Sequence, residues 1–254
     1  MLAYQTYGDA TAPPLLIAHG LYGSGRNWGV IAKRLSDTRH VITVDMRNHG
    51  NSFHSDANGY DDLAADLEEV IRALGGPMDV VGHSMGGKAA MMLALRAPDV
   101  VRRLVVGDIA PVTYTHSQLP MIDAMRAVDL SAVTRRSEAN AQLQAQGVDP
   151  AICAFLTQSL DVAGQTWRLN LDALEAEMPK IMSFPQVTAQ YDGPTLFLSG
   201  GASDYVLPEH RNTIRGLFPR ARFAKLPRAG HWLHADDPRG FEGTVRAFAD
   251  AAEA

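Results

Sequence analysis

Short apolar runs alternate with amphipathic segments through the first two-fifths of the chain. Unbroken apolar runs of this kind are typical of strands that are buried on both faces, as in a mostly parallel sheet covered by helices. Four such strands are predicted here: Leu15–Ala18, Val41–Val44, Val80–Val81 and Leu104–Val106. The first of them leads into a glycine-rich turn.

Helices are predicted between these strands. From Tyr60 to Leu74, apolar residues recur at the spacing of one helix face. Asp61 suits the positive end of that helix's dipole, and Pro77 follows the end of the helix. A second helix is predicted from Met85 to Ala97, because Pro98 cannot continue it.

The pattern changes between residues 112 and 190, where helical spacing continues but no strand is predicted. Alternation returns after Pro194, with strands at Thr195–Leu198 and Phe223–Leu226 and a last helix through Phe241–Phe248. We interpret a helical insertion that interrupts such a sheet as a cap over an active site. The predicted organisation is an α/β core at 1–111, a helical cap at 112–190 and a second core segment at 191–254.

The composition restricts the class of protein. Hydrophobic residues make up 46% of the 254 residues and charged residues 20%, which excludes a disordered chain. The net charge is −5 without a long run of one sign, so no nucleic-acid-binding surface is expected. The one cysteine, Cys153, cannot form an internal disulfide. Because neither an apolar stretch of about 20 residues nor a signal-peptide pattern is found, we expect a cytoplasmic protein without a membrane span.

Gly82-His83-Ser84-Met85-Gly86 matches the pattern G-x-S-x-G between a predicted strand and a predicted helix. In the α/β-hydrolase fold this pattern forms a sharp turn that exposes a nucleophilic serine above the sheet, at the positive end of a helix. The alternative is an ordinary glycine-rich turn with a capping serine. The strand before the motif and the helix after it favour Ser84 as a nucleophile.

A nucleophilic serine needs a base, which in this fold follows it in the chain. Four histidines do so: His116, His210, His231 and His234. His231 lies in a loop between the last predicted strand and the last helix, at the same sheet edge as Ser84, and is the predicted base. His234 is the rival candidate. The pair also has a spacing that suits a metal ion, but no third ligand is evident, so no metal site is predicted.

Two backbone N–H groups are needed to bind the oxyanion of an acyl-transfer reaction. One is predicted to be that of Met85, after the nucleophile, and the other that of Leu21, in the turn after the first strand. The glycines of this turn also resemble a dinucleotide-binding loop. Their spacing is G-x-x-G-x-G instead of G-x-G-x-x-G, and that interpretation leaves Ser84 and His231 without a role. No cofactor is predicted.

Several strings together resemble the bacterial YbfF-type esterases and the mammalian ABHD11-like proteins over nearly the whole chain. They are His19–Ser24, Asp45–Ser52, Gly82–Lys88, Asp108–Pro111, Trp167–Asn170 and Gly230–Trp232. The string Arg-Asn-His-Gly is specific, since most members of the superfamily have glycine where Asn48 stands. The resemblance implies a cofactor-free esterase with a small helical cap. It implies short- to medium-chain acyl esters as small-molecule substrates, with thioesters as a further candidate.

The acid that orients the base has two candidates, Asp108 and Asp204, each just after a predicted strand. In most α/β-hydrolases the acid follows the strand after the cap, which is the position of Asp204. In the YbfF-type proteins it follows the strand before the cap, so the resemblance implies Asp108. A Ser84–Asp108–His231 triad also serves carbon–carbon-bond hydrolases, perhydrolases and slow-turnover ligand receptors, and these are the alternative functions.

Overall fold

The computed structural model describes residues 1–251, and nine strands occur in them. They are β1 (Tyr4–Tyr7), β2 (Pro14–Ala18), β3 (His40–Val44), β4 (Met78–His83), β5 (Val101–Gly107), β6 (Leu160–Asp161), β7 (Thr166–Trp167), β8 (Thr195–Gly200) and β9 (Ala221–Leu226). Seven of them form one sheet in the order β1-β3-β2-β4-β5-β8-β9. Only β1 runs antiparallel to its neighbour in this sheet, so the sheet is mostly parallel.

The six strands predicted from apolar runs are confirmed as β2, β3, β4, β5, β8 and β9. Strand β1 was not predicted, because three of its four residues are exposed at the sheet edge and leave no apolar run. The prediction that 112–190 contains no strand is wrong in one detail, since β6 and β7 form a small antiparallel pair there. Each of these strands has two residues, which is too short to leave a periodic pattern.

Eleven α-helices lie within the described residues. They are α1 (Gly29–Leu35), α2 (Tyr60–Ala73), α3 (Met85–Arg96), α4 (Leu119–Arg126), α5 (Arg136–Ala145), α6 (Pro150–Leu156), α7 (Leu171–Ala176), α8 (Met178–Met182), α9 (His210–Leu217), α10 (Leu233–Asp236) and α11 (Pro238–Ala249). The predicted helices α2, α3 and α11 are confirmed. None of the helices in this part of the chain has the length and apolar character that crossing a bilayer requires.

Both faces of the sheet are buried. Along β2, Leu16 belongs to one hydrophobic cluster, together with α2 and α3. Its neighbours Leu15 and Ile17 belong to a second cluster, together with α1 and α11. Successive side chains of a strand point to opposite faces, so a strand between two helical layers needs apolar residues at every position. This is why the central strands appear as unbroken apolar runs. A mostly parallel seven-stranded sheet with helices on both faces, in which a sharp turn at Ser84 joins β4 to α3, is an α/β-hydrolase fold.

The segment 112–190, hereafter the insertion, enters the chain between β5 and β8 and contains α4 to α8 with the β6–β7 pair. Its apolar residues share the cluster of α2 and α3, among them Ile122, Met125 and Leu174. The insertion also bonds to the loop after β3. The amide of Gly50 donates to the carbonyl of Arg168 (2.8 Å), and the amide of Asn170 donates to the carbonyl of Asn48 (3.0 Å).

The backbone conformation and the hydrogen bonds of Asn48 explain why this loop has an asparagine where the resemblance leads us to expect a glycine in most of the superfamily. Its φ is 65°, a left-handed conformation that asparagine tolerates better than most residues. Its Oδ1 accepts hydrogen bonds from the amide of Ser55 (2.8 Å) and from Asn170 Nδ2 (3.1 Å). A glycine could adopt the backbone conformation but could not form these bonds. The asparagine of the Arg-Asn-His-Gly string therefore helps to attach the insertion to the core.

Lys88, on α3, is a second link between the core and the insertion. Its buried Nζ donates to three carbonyl oxygens, those of Val112 (2.9 Å), Met182 (3.1 Å) and Ser183 (2.6 Å). These carbonyls lie at the beginning and near the end of the insertion. The Nζ atom also lies 4.8 Å from the centre of the Tyr114 ring. Burial lowers the pKa of Lys88 to about 7, while the carbonyls and the ring favour its charged form.

Lys88→Met is expected to lower the free energy of unfolding by about 1–3 kcal/mol, because three carbonyls lose a charged donor. Equilibrium urea unfolding measures the change. Lys33→Met on α1 is the matched control, since Lys33 is exposed and its loss should have almost no effect. Equal unfolding midpoints for the two variants would contradict a structural role of Lys88.

The lowered pKa of Lys88 predicts that the stability of the folded protein depends on pH. The pKa of Lys88 is about 7 in the folded protein and about 10.4 in an unfolded chain, so the unfolded state binds more protons between these values. This group therefore makes the folded protein more stable as pH rises from 7 to 10. The difference in unfolding free energy between wild type and Lys88→Met should grow over that range. A difference that stays constant or shrinks would be inconsistent with the lowered pKa.

Candidate active site

Ser84 occupies the turn between β4 and α3. Its backbone has φ 52° and ψ −120°, which is unfavourable for a residue with a side chain. Two hydrogen bonds hold it there: its amide donates to the carbonyl of Gly107 (3.0 Å), and its carbonyl accepts from the amide of Lys88 (3.0 Å). This geometry is that of a nucleophile elbow.

The glycines of G-x-S-x-G are required by close backbone contacts. A Cβ at Gly82 would lie 2.3 Å from the carbonyl oxygen of Gly86. A Cβ at Gly86 would lie 2.4 Å from the carbonyl oxygen of Ala18, at the end of β2. Both distances are shorter than any tolerated contact. The helix can therefore start directly against the sheet only with glycine at these positions.

His231 lies in the loop between β9 and α10, and Asp108 follows β5. Nδ1 of His231 and Oδ2 of Asp108 are 2.8 Å apart, while Oδ1 accepts from the amide of Gly200 (2.9 Å). Ser203 Oγ donates to the same Oδ2. Asp108 is fully buried, whereas the His231 side chain is 21% exposed. A carboxylate at Nδ1 places the proton there and leaves Nε2 unprotonated, as a general base requires.

The other candidates for base and acid lie elsewhere. Asp204 is exposed, and the carboxylate that contacts His231 is that of Asp108. The ring of His234 stacks on Trp28, with 4.0 Å between the ring centres. Burial lowers the pKa of His234 to about 4, so its imidazole is neutral near pH 7. Within residues 1–251, no group of three or more His, Cys, Asp or Glu side chains that could hold a metal ion is found. The His231–His234 pair belongs to no such group there.

The predicted oxyanion-hole residues, Leu21 and Met85, line the same cavity as Ser84. The loop of Leu21 comes close to the elbow because of Gly20, where a Cβ would lie 3.1 Å from the Cβ of Ser84. Within residues 1–251, no hydrogen bond from the amide of Leu21 or Met85 to another protein group is found.

Two buried histidines that the sequence did not assign hold the Leu21 loop. His49 Nε2 accepts from the amide of Tyr22 (3.1 Å), and its Nδ1 donates to the carbonyl of Arg47 (2.8 Å). His19 Nε2 accepts in the same way from the amide of Met46 (2.9 Å). Burial lowers the pKa of His19 to about 4 and that of His49 to about 3, so both rings stay neutral. The feature of the sequence that could have identified His49 is its place in the Arg-Asn-His-Gly string.

The geometry of the Gly20–Gly25 turn differs from that of a dinucleotide-binding loop. Its amide at Gly25 donates to Asp45 Oδ1 (2.7 Å), and its amide at Gly23 donates to the carbonyl of Gly20 (3.1 Å). In a phosphate-binding loop such amides point to the ligand. Here a carboxylate of the protein itself already occupies that position.

A cavity of about 280 Å³ lies above Ser84 and His231. The insertion supplies much of its apolar wall, with Met121, Ile152, Phe155, Leu156, Ile181 and Met182. Phe155 also packs against Trp232, with 5.6 Å between the ring centres. Leu160, another apolar residue of the insertion, does not line this cavity and belongs to the hydrophobic cluster of α2 and α3.

A family model described as the alpha/beta hydrolase fold matches residues 13–238. The chain is 46% identical over 252 residues to the mouse (Mus musculus) protein named sn-1-specific diacylglycerol lipase ABHD11, an alignment that covers 95% of this chain and 82% of the relative. It is 36% identical over 239 residues to esterase YbfF of Escherichia coli strain K12, with 92% of each chain covered.

A solved structure described as a marine microorganism esterase is similar with a TM-score of 0.92 and 36% identity, covering 97% of this chain and 98% of that one. These findings confirm the resemblance inferred from the motifs. The chain belongs to the α/β-hydrolase family, in the group of the YbfF and ABHD11 proteins. It is a hydrolase of the esterase and lipase type.

Asp108→Asn is expected to lower kcat by several orders of magnitude, because the amide favours the wrong tautomer of His231. In serine proteases the same replacement lowers kcat about 10⁴-fold. Asp204→Asn is the matched control and should change kcat less than about threefold, since Asp204 is exposed. Steady-state hydrolysis of p-nitrophenyl butyrate measures both, with circular dichroism as a check of folding. A crippled Asp204→Asn enzyme beside an active Asp108→Asn enzyme would reverse the assignment.

Proposed function

We propose that this chain is a serine carboxylesterase with Ser84 as nucleophile, His231 as general base and Asp108 as the acid that orients the base. The observation that supports this most directly is the 2.8 Å contact between His231 and Asp108 at the cavity into which the Ser84 elbow opens. The cavity is mostly apolar, which suits an acyl chain.

In the proposed reaction, Ser84 Oγ attacks the ester carbonyl carbon while His231 Nε2 takes the hydroxyl proton. The oxyanion of the tetrahedral intermediate is bound by the N–H groups of Leu21 and Met85. The protonated His231 then gives its proton to the departing alcohol, which leaves an acyl group on Ser84. Water attacks this acyl group with His231 again as the base, and the carboxylic acid and free Ser84 are released.

We further propose that residues 112–190 act as a cap that selects the acyl group, while 1–111 and 191–254 form the catalytic core. The insertion lines the cavity but contributes none of the proposed triad or oxyanion-hole residues. The size and apolar wall of the cavity favour short- to medium-chain acyl esters, and thioesters would follow the same chemistry. Diacylglycerols are a necessary comparison substrate, because the mouse relative is named as a diacylglycerol lipase.

Ser84 is expected to form the covalent acyl-enzyme. A fluorophosphonate probe followed by peptide mass spectrometry should label Ser84 in the wild type. Ser84→Ala should abolish both labelling and p-nitrophenyl ester hydrolysis, whereas Ser137→Ala, which changes an exposed serine of α5, should leave both unchanged. Activity that survives Ser84→Ala would overturn the mechanism. Labelling of Ser84 with only a single turnover would indicate a ligand receptor instead of an esterase.

Phe155→Ala is expected to shift the preferred acyl chain by one or two carbons toward longer chains, because removing the ring enlarges the cavity. A methylene accommodated in such a pocket is worth about 1 kcal/mol or somewhat more. The measurement is kcat/KM for p-nitrophenyl esters from acetate to octanoate. Leu160→Ala is the matched control, since Leu160 is equally part of the insertion but does not line the cavity. If acetate turnover collapsed while chain preference stayed the same, the insertion would have a role in the chemistry itself.

A further inference from the structure

The aromatic ring of Tyr205 lies flat against the imidazole of His231. The ring centres are 4.0 Å apart and the ring planes differ by 21°. Tyr205 stands in the loop after β8, and its half-buried side chain forms part of the cavity wall. It belongs to none of the motifs, and the reaction proposed above does not use it.

Tyr205 is fixed by contacts that are independent of His231. Its amide donates to Ser203 Oγ (3.3 Å), and its carbonyl accepts from Tyr114 Oη (2.7 Å). Its own Oη forms a hydrogen bond with His116 Nε2 (2.9 Å). Tyr114 and His116 belong to the first part of the insertion. The insertion therefore holds the tyrosine ring in place against the imidazole.

The groups around His231 determine what this stacking can do. Asp108 meets Nδ1 from the end of β5 (2.8 Å). His83, on β4, has its ring centre 4.8 Å away and donates from Nε2 to the carbonyl of His231 (2.7 Å). Burial lowers the pKa of His83 well below its ordinary value and that of His234 to about 4. Both rings are therefore neutral near pH 7. Tyr114, whose ring centre lies 5.2 Å from that of Tyr205, and the exposed Asp204 and His116 are further titratable side chains near Tyr205.

We propose that Tyr205 is a positioning residue for His231. Its ring holds the imidazole in the plane that serves Asp108 and Ser84, and its π face stabilises the imidazolium that forms when His231 takes the Ser84 proton. A cation within about 6 Å of an aromatic centroid is attracted by the ring. Neutral imidazole gains less from this contact, so the stabilisation is larger in the transition state than in the resting enzyme.

This inference rests on the proposed esterase reaction, and two variants test it. Tyr205→Phe keeps the ring and removes only the hydroxyl with its hydrogen bonds, among them the one to His116, whereas Tyr205→Leu removes the ring. The Phe variant should retain kcat within about twofold. The Leu variant should lose about three- to tenfold in kcat with little change in KM, since the ring acts mainly on the charged state of His231.

The pH dependence of kcat/KM distinguishes the loss of the ring face from a general loosening of the site. Without the ring face the imidazolium is less stable, so the acidic limb of kcat/KM should move to lower pH by about 0.5–1 unit in Tyr205→Leu. It should stay in place in Tyr205→Phe. Loosening that admitted water would instead stabilise the imidazolium and move the limb to higher pH. Phe223→Leu is the control, because it removes a ring stacked on Phe197 that does not line the cavity.

An NMR titration of His231 in the resting enzyme separates the proposed esterase function from the proposed role of Tyr205. His231→Ala serves to assign the signal. The midpoint of this titration should fall in Tyr205→Leu whether or not an ester is turned over. If the wild type lacks Ser84 labelling but this midpoint shifts, the proposed function fails and the stacking role stands. If the wild type is an active esterase and the Leu variant shows no shift, or if the Phe variant loses as much kcat as the Leu variant, the role of Tyr205 is overturned.

Discussion

The turn at Ser84 is the constraint on which the rest of the site depends. The backbone of a residue with a side chain is held at φ 52°, and this is tolerated only because Gly82 and Gly86 let the strand, the turn and the helix touch. The same turn places Ser84 and Met85 in the wall of the cavity. It also starts helix α3, whose Lys88 binds the insertion one turn later. The proposed nucleophile, the proposed oxyanion site and the attachment of the insertion thus depend on the same turn.

Buried neutral histidines stiffen the loops around this turn. His19, His49 and His83 each use ring nitrogens to bond backbone groups of loops that carry site residues. A charged side chain in these places would have to be desolvated, and it would add positive charge next to His231. Burial keeps the pKa values of all three rings low, so they act as uncharged hydrogen-bonding units. In the proposed mechanism, positive charge develops at His231, which contacts Asp108 and the face of Tyr205.

Among the contacts that join the insertion to the core are a shared hydrophobic cluster, the backbone bonds between the Asn48 loop and Arg168–Asn170, and the bonds of Lys88. These contacts place apolar side chains over the nucleophile without contributing a group to the proposed chemistry. Tyr114 and His116 are the exceptions, since they hold the tyrosine that stacks on His231. The insertion, which we propose to select the acyl group, thereby also contacts the tyrosine proposed to position His231.

The sequence by itself determined the central strands, the helices around them, the elbow and the loop of His231. Each of these leaves a pattern within about 15 residues, as an apolar run, a helical spacing or a glycine pair. Edge strand β1 and the β6–β7 pair left no such pattern, because they are exposed or too short. The residues alone left Asp108 and Asp204 as equal candidates, and the resemblance favoured Asp108. Only the tertiary structure decided which carboxylate touches His231, which apolar residues face the cavity and where Tyr205 lies. These contacts join residues far apart in the chain, and packing of whole elements sets them, not any local pattern.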